Sequence, residues 1–251
     1  MARPNLETLN FAAMLVPIAD RKRLCECGAE VPATVGPAPS YAPHADWHCD
    51  ACRPAYVAKK REEATGRRRA TQEGDWSKEC PPRYRWASFD APEMATRCRD
   101  EDARARARDA TASTVTLIGG AGSGKTSLAA AMSRARYVTG EGNSGRDGFV
   151  WMPAADLPAA RRAQKLGDGE AREVIRAMNA DILVLDDLGA EDASPFARVI
   201  AEVIHHRHDH EVATIVTLGF KPEQVADRYG DGVARRLFEE CAIRVKGGGR
   251  K

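Results

Sequence analysis

The sequence predicts an α/β fold, a mostly parallel β-sheet flanked by helices and preceded by a small cysteine-rich region. Three observations predict it. The run Gly119-Gly120-Ala121-Gly122-Ser123-Gly124-Lys125-Thr126 completes the pattern G-x-x-x-x-G-K-[ST] between a β-branched segment, Thr114–Ile118, and a stretch of good helix formers, Ser127–Arg136. Further along, the apolar run Ile182-Leu183-Val184-Leu185 ends in two acids, Asp186 and Asp187. A third β-branched run, Thr214-Ile215-Val216-Thr217, follows a helical stretch. Apolar strands that alternate with helical segments are the signature of a buried parallel sheet.

The 251 residues suffice for one such domain and a small appendage. The expected organisation is a metal-binding N-terminal region over residues 1–60, a charged linker and lead-in over 61–95, and the core over 96–251. The formal net charge of +2 identifies no partner, although local basic runs do more. No segment is long and apolar enough to span a bilayer, so no membrane partner is expected. Residues 5–19 are expected to form an amphipathic helix through Leu6, Leu9, Ala13 and Met14, either a docking surface or a packing helix. The apolar run Phe11–Ile18 is short, interrupted by Pro17 and followed by Asp20-Arg21-Lys22-Arg23. That is not a signal peptide, and a cytoplasmic protein is expected.

Four of the seven cysteines form two close pairs, Cys25-x-Cys27 and Cys49-x-x-Cys52, joined by a proline-rich loop. Each pair can place two thiolates on one knuckle, and four of them suit a tetrahedral Zn²⁺ site. Such a metal would staple a segment too small to bury its own core. His44 and His48 flank the second pair and could replace one thiol. A disulfide conflicts with a reducing cytosol. Cys80, Cys98 and Cys241 stand apart. The basic runs Arg21-Lys22-Arg23, Lys59-Lys60-Arg61 and Arg67-Arg68-Arg69 would attract a phosphate backbone. Composition alone also permits a solvated linker over 61–79, which has almost no apolar residues. Trp47, Tyr56, Trp76, Tyr84 and Trp86 could stack on bases or simply pack.

Pro92–Asp109 reads as a helical stretch, Gly148–Met152 as a strand and Ala242–Val245 as the last strand. The histidines at 205, 206, 208 and 210 scatter around a helix instead of converging, so an exposed helix end is expected there.

The glycine-rich run carries the chemistry. Between a strand and a helix N-terminus, its backbone N–H groups and the helix dipole can surround a polyphosphate, so the chain is expected to bind ATP through Gly119–Thr126 and Ser127. Lys125 would reach the β- and γ-phosphates, and the Thr126 hydroxyl would hold Mg²⁺. Asp186 is the expected Mg²⁺ acid and Asp187 the carboxylate that polarises the attacking water. Both sit at the C-terminal edge of a strand, where ligands bind in such sheets. Thr217 either turns its hydroxyl toward the γ-phosphate or is there for strand propensity.

Taken with Ala190-Glu191, Arg207 and Tyr229–Leu237, these motifs resemble the DnaC-type helicase loaders, AAA+ ATPases related to the IstB-type transposition helpers. The lead-in Pro81–Asp90 is similar to the segment that precedes their core, and the resemblance spans roughly residues 80–246. It implies ATP hydrolysis, a hexameric replicative helicase and single-stranded DNA as partners, self-assembly through the ATP site, and no C-terminal lid. Arg236 matches the arginine that family members insert into a neighbouring subunit's site, with Arg235 the competing assignment and an ordinary surface arginine the alternative. Two positions depart from the pattern: Thr217-Leu218-Gly219 lacks the polar side chain that ends the sensor strand, and Gly232 stands where an extra arginine is frequent. A transposition helper acting on duplex DNA, and an adaptor that binds ATP with little hydrolysis, remain alternatives.

Overall fold

The computed structural model describes residues 23–31, 47–140, 148–165, 167–191 and 195–247. The helix expected over residues 5–19, His44 and the run around Lys22 lie outside them. The chain divides into two units, Met1–Arg68 and Arg69–Lys251.

In the first unit, β1 (Arg23–Leu24) pairs antiparallel with β2 (Glu30–Val31). The turn between them closes through Gly28 N to Cys25 O at 2.8 Å and Cys25 N to Ala29 O at 2.8 Å. Cys25 and Cys27 therefore ride on a tight hairpin. Helix α1 (Arg53–Glu79) starts directly after Cys52 and runs on into the second unit. Residues 61–79, read from composition as linker, are thus helical. Alanine, arginine, glutamate, glutamine and lysine are good helix formers however hydrophilic they are. The apolar anchor is also sparse: Gln72 and Trp76, one turn apart, are its buried residues. The Trp76 indole N–H donates to Ser133 Oγ at 3.0 Å, and Glu73 and Glu79 pair with Arg134 and Arg176.

The lead-in forms a short 3₁₀ turn, Pro82–Tyr84. The helical stretch expected over Pro92–Asp109 is made of two helices: α2 (Pro92–Arg97) and α3 (Glu101–Asp109). Cys98 is extended between them, and the Asp100 carboxylate accepts from Ala103 N at 3.1 Å as the cap that starts α3. Then follow β3 (Thr114–Ile118), α4 (Lys125–Arg134) with a π-helical turn at Ala135–Thr139, β4 (Phe149–Pro153), α5 (Asp156–Ala163), α6 (Arg172–Asn179) and β5 (Ile182–Leu188). The chain continues through α7 (Arg198–Asp209), β6 (Ala213–Leu218), α8 (Pro222–Tyr229), α9 (Asp231–Glu239) and β7 (Ala242–Arg244).

The sheet order is β4-β5-β6-β3-β7, and every pairing is parallel. Both faces are covered, as a parallel sheet requires. Alternate residues feed opposite cores: Val184 and Ile215 join Val115, Leu128 and Trp76 on one face, while Leu183, Leu185 and Val216 join Leu157, Ile200 and Leu237 on the other. The order puts β6 between β3 and β5, so the glycine-rich loop and the two acids flank one strand.

Arg207, one of the residues in the family-like pattern, is fully buried. Its guanidinium donates to the carbonyls of Ala177 (2.8 Å), Ala180 (2.8 Å) and Ala213 (2.6 Å) and to Thr214 Oγ1 (2.9 Å). It thereby ties the end of α6 to β6. Among the described residues, the histidines at the end of α7 form no converging group of metal ligands. Because each buried carbonyl left without a donor costs about 1–3 kcal/mol, Arg207→Ala should lower the unfolding free energy by roughly 3 kcal/mol or more in a denaturant titration. Arg207→Lys should recover only part of that loss, having fewer donors and no planar fork.

Candidate functional site

The glycine-rich loop sits at the C-terminal end of β3 and feeds directly into α4. Gly124 caps α4 in the left-handed region (φ 95°), and a Cβ there would lie 2.4 Å from Arg97 O, so only glycine fits. Lys125 is the first residue of α4, and its ammonium donates to Gly120 O at 3.0 Å. Burial lowers the Lys125 pKa, while Asp187 and Asp186 pull it back up. Ser123 Oγ is buried with no hydrogen-bond partner. An orphaned hydroxyl beside a left-handed glycine and a helix N-terminus is what an oxygen-rich anion would satisfy.

Across from the loop, Asp186 Oδ1 accepts from two threonine hydroxyls, Thr126 Oγ1 at 3.2 Å and Thr217 Oγ1 at 2.6 Å. The Thr217 hydroxyl in turn accepts from Asp187 N at 2.8 Å. Thr217 is nearly inaccessible, 1% exposed, so its hydroxyl is committed to the acids and does not face open space. It orients Asp186; the alternative of turning toward a phosphate does not match this placement. Burial raises the Asp186 pKa, and the two threonine hydrogen bonds oppose that rise. Thr126 Oγ1 and Asp186 Oδ1 stand close to the spacing of about 3 Å expected for neighbouring oxygens around Mg²⁺. The donor set thus fits one small, hard cation.

Asp187 adopts φ 57°, in the left-handed region. The register between β5 and β6 slips here: Leu185 pairs with Val216, but Leu188 pairs with Leu218. This bulge turns consecutive acids to different uses, and Asp187 is exposed where Asp186 is half-buried.

The loop opens onto a cavity of about 480 Å³ lined by Gly122, Gly124, Lys125, Thr126 and Ser127, and by Arg83, Tyr84, Trp86 and Arg97. The aromatic lead-in is therefore part of the site. Tyr84 also stacks on Trp151, with ring centroids 6.0 Å apart, and the Trp86 indole donates to Arg83 O at 2.8 Å. Sequence left base stacking and packing open for these residues; Tyr84 packs on Trp151 at the cavity wall, and Trp76 packs in the core.

Glu191 is a buried acid whose contacts sequence did not reveal. Its carboxylate accepts from Gly189 N at 3.0 Å and Arg228 Nε at 2.9 Å, and also from the Tyr229 hydroxyl. It thus bolts the turn after Asp187 to α8. Burial, with the Glu191 carboxylate second, pushes the Tyr229 phenol up. The available signal was its place in the Ala190-Glu191 pair of the family-like pattern.

The two candidate arginines differ sharply. Arg236 is 18% exposed in its side chain and held by Asp209 Oδ1 (3.2 Å) and Gly232 O (3.2 Å). Arg235 is 62% exposed. Arg236 is thus held by two partners and largely buried, whereas Arg235 is exposed, with only a long contact of 3.9 Å from its Nε to Glu239 Oε2 among the described ion pairs.

In the first unit, the sulfurs of Cys25, Cys27, Cys49 and Cys52 all lie within 4.8 Å of one another. Cys27 Sγ and Cys49 Sγ are 3.7 Å apart. Four sulfurs at the zinc–thiolate distance of about 2.3 Å would be separated by about 3.8 Å, so the set fits a tetrahedral metal ion. N–H groups of Cys27 and Cys49 draw the Cys25 thiol down to about 6, and hydrogen bonds to the other three sulfurs push Cys52 up to about 12. Four adjacent thiols cannot all ionise without a cation among them. His48 stands outside this group: its Nδ1 lies 3.8 Å from Cys25 Sγ and its ring stacks on Tyr56. Among the described residues, no helix is long and apolar enough to cross a membrane.

The chain matches no curated protein. Its fold is similar to that of the DnaC helicase loader, at 23% identity and a TM-score of 0.52 over 66% of this chain and 100% of that one. That likeness is one of fold. DnaA from Aquifex aeolicus, bound to AMPPCP, matches at 18% identity and a TM-score of 0.47, over 66% of this chain and 51% of DnaA. A putative primosome component from Streptococcus pyogenes serotype M3 matches at 17% identity and a TM-score of 0.48, over 68% of this chain and 92% of that one. The family model of the IstB-like ATP binding protein matches residues 101–236, more than half of the sequence and the whole span from α3 through the glycine-rich loop and paired acids to Arg236. The chain therefore belongs to the family of IstB-like ATP-binding proteins.

Proposed function

We propose that this protein is an ATP-dependent replication factor, a loader that delivers a hexameric replicative helicase to single-stranded DNA and hydrolyses ATP in doing so. The observation that carries the nucleotide chemistry is the Thr126–Asp186 contact at 3.2 Å, which joins the glycine-rich loop to the acid strand. The likeness to the DnaC helicase loader over that chain's entire length supports the cellular role.

Gly119–Thr126 and Ser127 would cradle the phosphates, and the lead-in aromatics Tyr84 and Trp86 would flank the base. Thr126 and Asp186 would hold Mg²⁺, which when bound offsets phosphate charge. Lys125 would bind the β- and γ-phosphates. Thr217 would keep Asp186 oriented for that task through its hydrogen bond to Oδ1, and Asp187 would polarise the attacking water. The four-cysteine site would hold Zn²⁺ and stabilise residues 1–60 as a separate module ahead of a core over 96–251. Self-assembly would complete each site with an arginine from the neighbouring copy. We place Arg235 in that role, ahead of Arg236, because Arg236 is already engaged by Asp209.

Two other readings have observations of their own. The IstB-like family match favours a transposition helper acting on duplex DNA with a transposase. Gly219 gives β6 no polar side chain at its end, which favours an adaptor with little turnover.

Purified protein with ATP should capture a replicative helicase and raise its occupancy on single-stranded DNA. Asp187→Asn should cut phosphate release about a hundredfold while ATP affinity stays within a few-fold, and Lys125→Ala should abolish ATP uptake in calorimetry. No helicase capture together with filaments on duplex DNA would transfer the protein to the transposition reading. Wild-type phosphate release no faster than that of Asp187→Asn would establish the adaptor.

Mixing subunits locates the arginine. Arg235→Ala subunits combined with Lys125→Ala subunits should regain a fraction of wild-type hydrolysis, because intact sites form at the mixed interfaces. Arg236→Ala should instead lower thermal stability by losing its tie to α7. The reverse pattern would restore the role to Arg236.

Metal analysis should find one zinc per chain. Chelation, or Cys49→Ser, should release it and unfold the first unit as seen by loss of the Trp47 fluorescence signal, with ATP binding retained. Metal-free protein with unchanged melting and fluorescence would remove zinc from the account.

A further inference from the structure

We propose that Arg97 is a nucleotide-binding residue, whose guanidinium grips the α- and β-phosphates, those that ATP and ADP share. The inference rests on the reading above that the glycine-rich loop binds ATP, and it adds to that site a second cation from a segment outside the loop.

Arg97 ends α2, and Met94 and Cys98, both fully buried, anchor the chain on either side of it. The backbone there is pressed against the loop: a Cβ on Gly124 would lie 2.4 Å from Arg97 O and 2.8 Å from Cys98 Cα. Arg97 is thus held beside the residue that precedes Lys125, and it forms part of the wall of the cavity onto which the loop opens. A backbone fixed in advance leaves only the side chain to be ordered on binding.

Charge gives the second observation. The wall holds three cations, Arg83, Arg97 and Lys125, and no carboxylate. Two of them are occupied: the Arg83 guanidinium lies 5.0 Å from the Tyr84 ring, and the Lys125 ammonium donates to Gly120 O at 3.0 Å. Arg97 is exposed, and among the described residues no hydrogen bond, ion pair or ring contact engages its guanidinium. The nearby acids are passed over or already taken. Glu93 stands four residues earlier on the same helix, in the order and spacing that pair most readily, yet no ion pair joins the two. Asp90 pairs with Arg108 at 2.9 Å, and Asp100 accepts from Ala103 N at 3.1 Å and from Lys246 N at 2.8 Å. Offsetting the dipole of α2 is a weak reason for this arginine, since the helix has six residues and the guanidinium donates to none of its carbonyls.

The choice of phosphate follows from the neighbours. Tyr84 and Trp86, which would flank the base, share this wall, whereas Asp186 and Asp187, which mark the γ-phosphate end, do not. Arg97 therefore stands on the base side, toward the α- and β-phosphates. Its planar fork of donors suits paired phosphate oxygens.

The test uses the full chain and calorimetry with ATP and with ADP, each with Mg²⁺. Arg97→Ala should weaken both nucleotides by the same factor, about tenfold, because charge-assisted hydrogen bonds to phosphate are strong. In steady-state phosphate release it should raise KM about tenfold and leave kcat within about twofold, the pattern of a contact made equally in ground and transition states. Arg97→Lys should recover part of the affinity, keeping the charge and losing the fork. Arg99→Ala, two residues on and outside the cavity wall, should bind both nucleotides as the wild type does. Thermal melting shows that each variant is folded. Wild-type affinity for ADP in folded Arg97→Ala would overturn the proposal even if ATP were weakened, because a loss confined to ATP assigns the arginine to the γ-phosphate. An equal loss in Arg99→Ala would overturn it too, reducing the effect to surface charge. If the wild-type chain takes up neither nucleotide, the reading of the loop fails; if it takes up both and Arg97→Ala does so equally well, this inference alone fails.

Discussion

Everything at the candidate site depends on one carboxylate oxygen. Asp186 Oδ1 accepts hydrogen bonds from Thr126 on α4 and Thr217 on β6, and it belongs to β5 itself. Three segments far apart in sequence are thereby fixed at one end of the sheet. The topology makes this possible. With β6 between β3 and β5, the loop after β3 and the acids at the end of β5 can meet only across β6, and a threonine on β6 closes the gap. Valine there would keep the strand and lose the link, so strand propensity and site geometry are separate demands on the same residue.

Burial makes the arrangement consequential. Asp186 and Lys125 both sit where desolvation disfavours their charged forms; the Thr217 and Thr126 hydroxyls and Lys125 hold Asp186 toward ionisation, and Asp187 and Asp186 hold Lys125 charged. A cation and a polyphosphate supply the missing counter-charges together, so the site is poised for the pair instead of for either alone. The bulge in β5 turns Asp187 outward, so that it is exposed where Asp186 is half-buried. The left-handed backbone at Asp187 is tolerable because an acidic side chain accepts that conformation better than most, and because Thr217 Oγ1 captures its N–H.

Where local chemistry determines structure, the sequence was a sufficient guide. The strands of the sheet, the glycine-rich loop and the paired acids read correctly because apolar runs, glycine spacing and terminal carboxylates are local signals. The cysteine pairs read well for the same reason. Tertiary events were harder. The 92–109 stretch looks like one helix until Asp100 is seen to cap a second one, a choice made by a single side chain. Residues 61–79 looked like linker because average hydropathy hides one decisive tryptophan, Trp76. The family pattern pointed to Arg236 ahead of Arg235; only Asp209, from another helix, shows that Arg236 is the more firmly held of the two. The role of Tyr84 and Trp86 in the cavity wall needed the lead-in to fold back over α4, which no spacing rule states.

The same reasoning joins the acids to the projecting arginine. Gly189 follows Asp187 by two residues, with φ 104° and the Phe220 ring so near that a Cβ would lie 2.6 Å from it. Glu191 then clamps that turn to Arg228 and Tyr229 at the end of α8. One residue later, Gly230 redirects the chain into α9, which carries Arg235. Glu191 therefore fixes the turn after Asp187 to the end of α8, one residue before the Gly230 joint that leads into α9, and a buried carboxylate with three donors holds that joint as one satisfied unit.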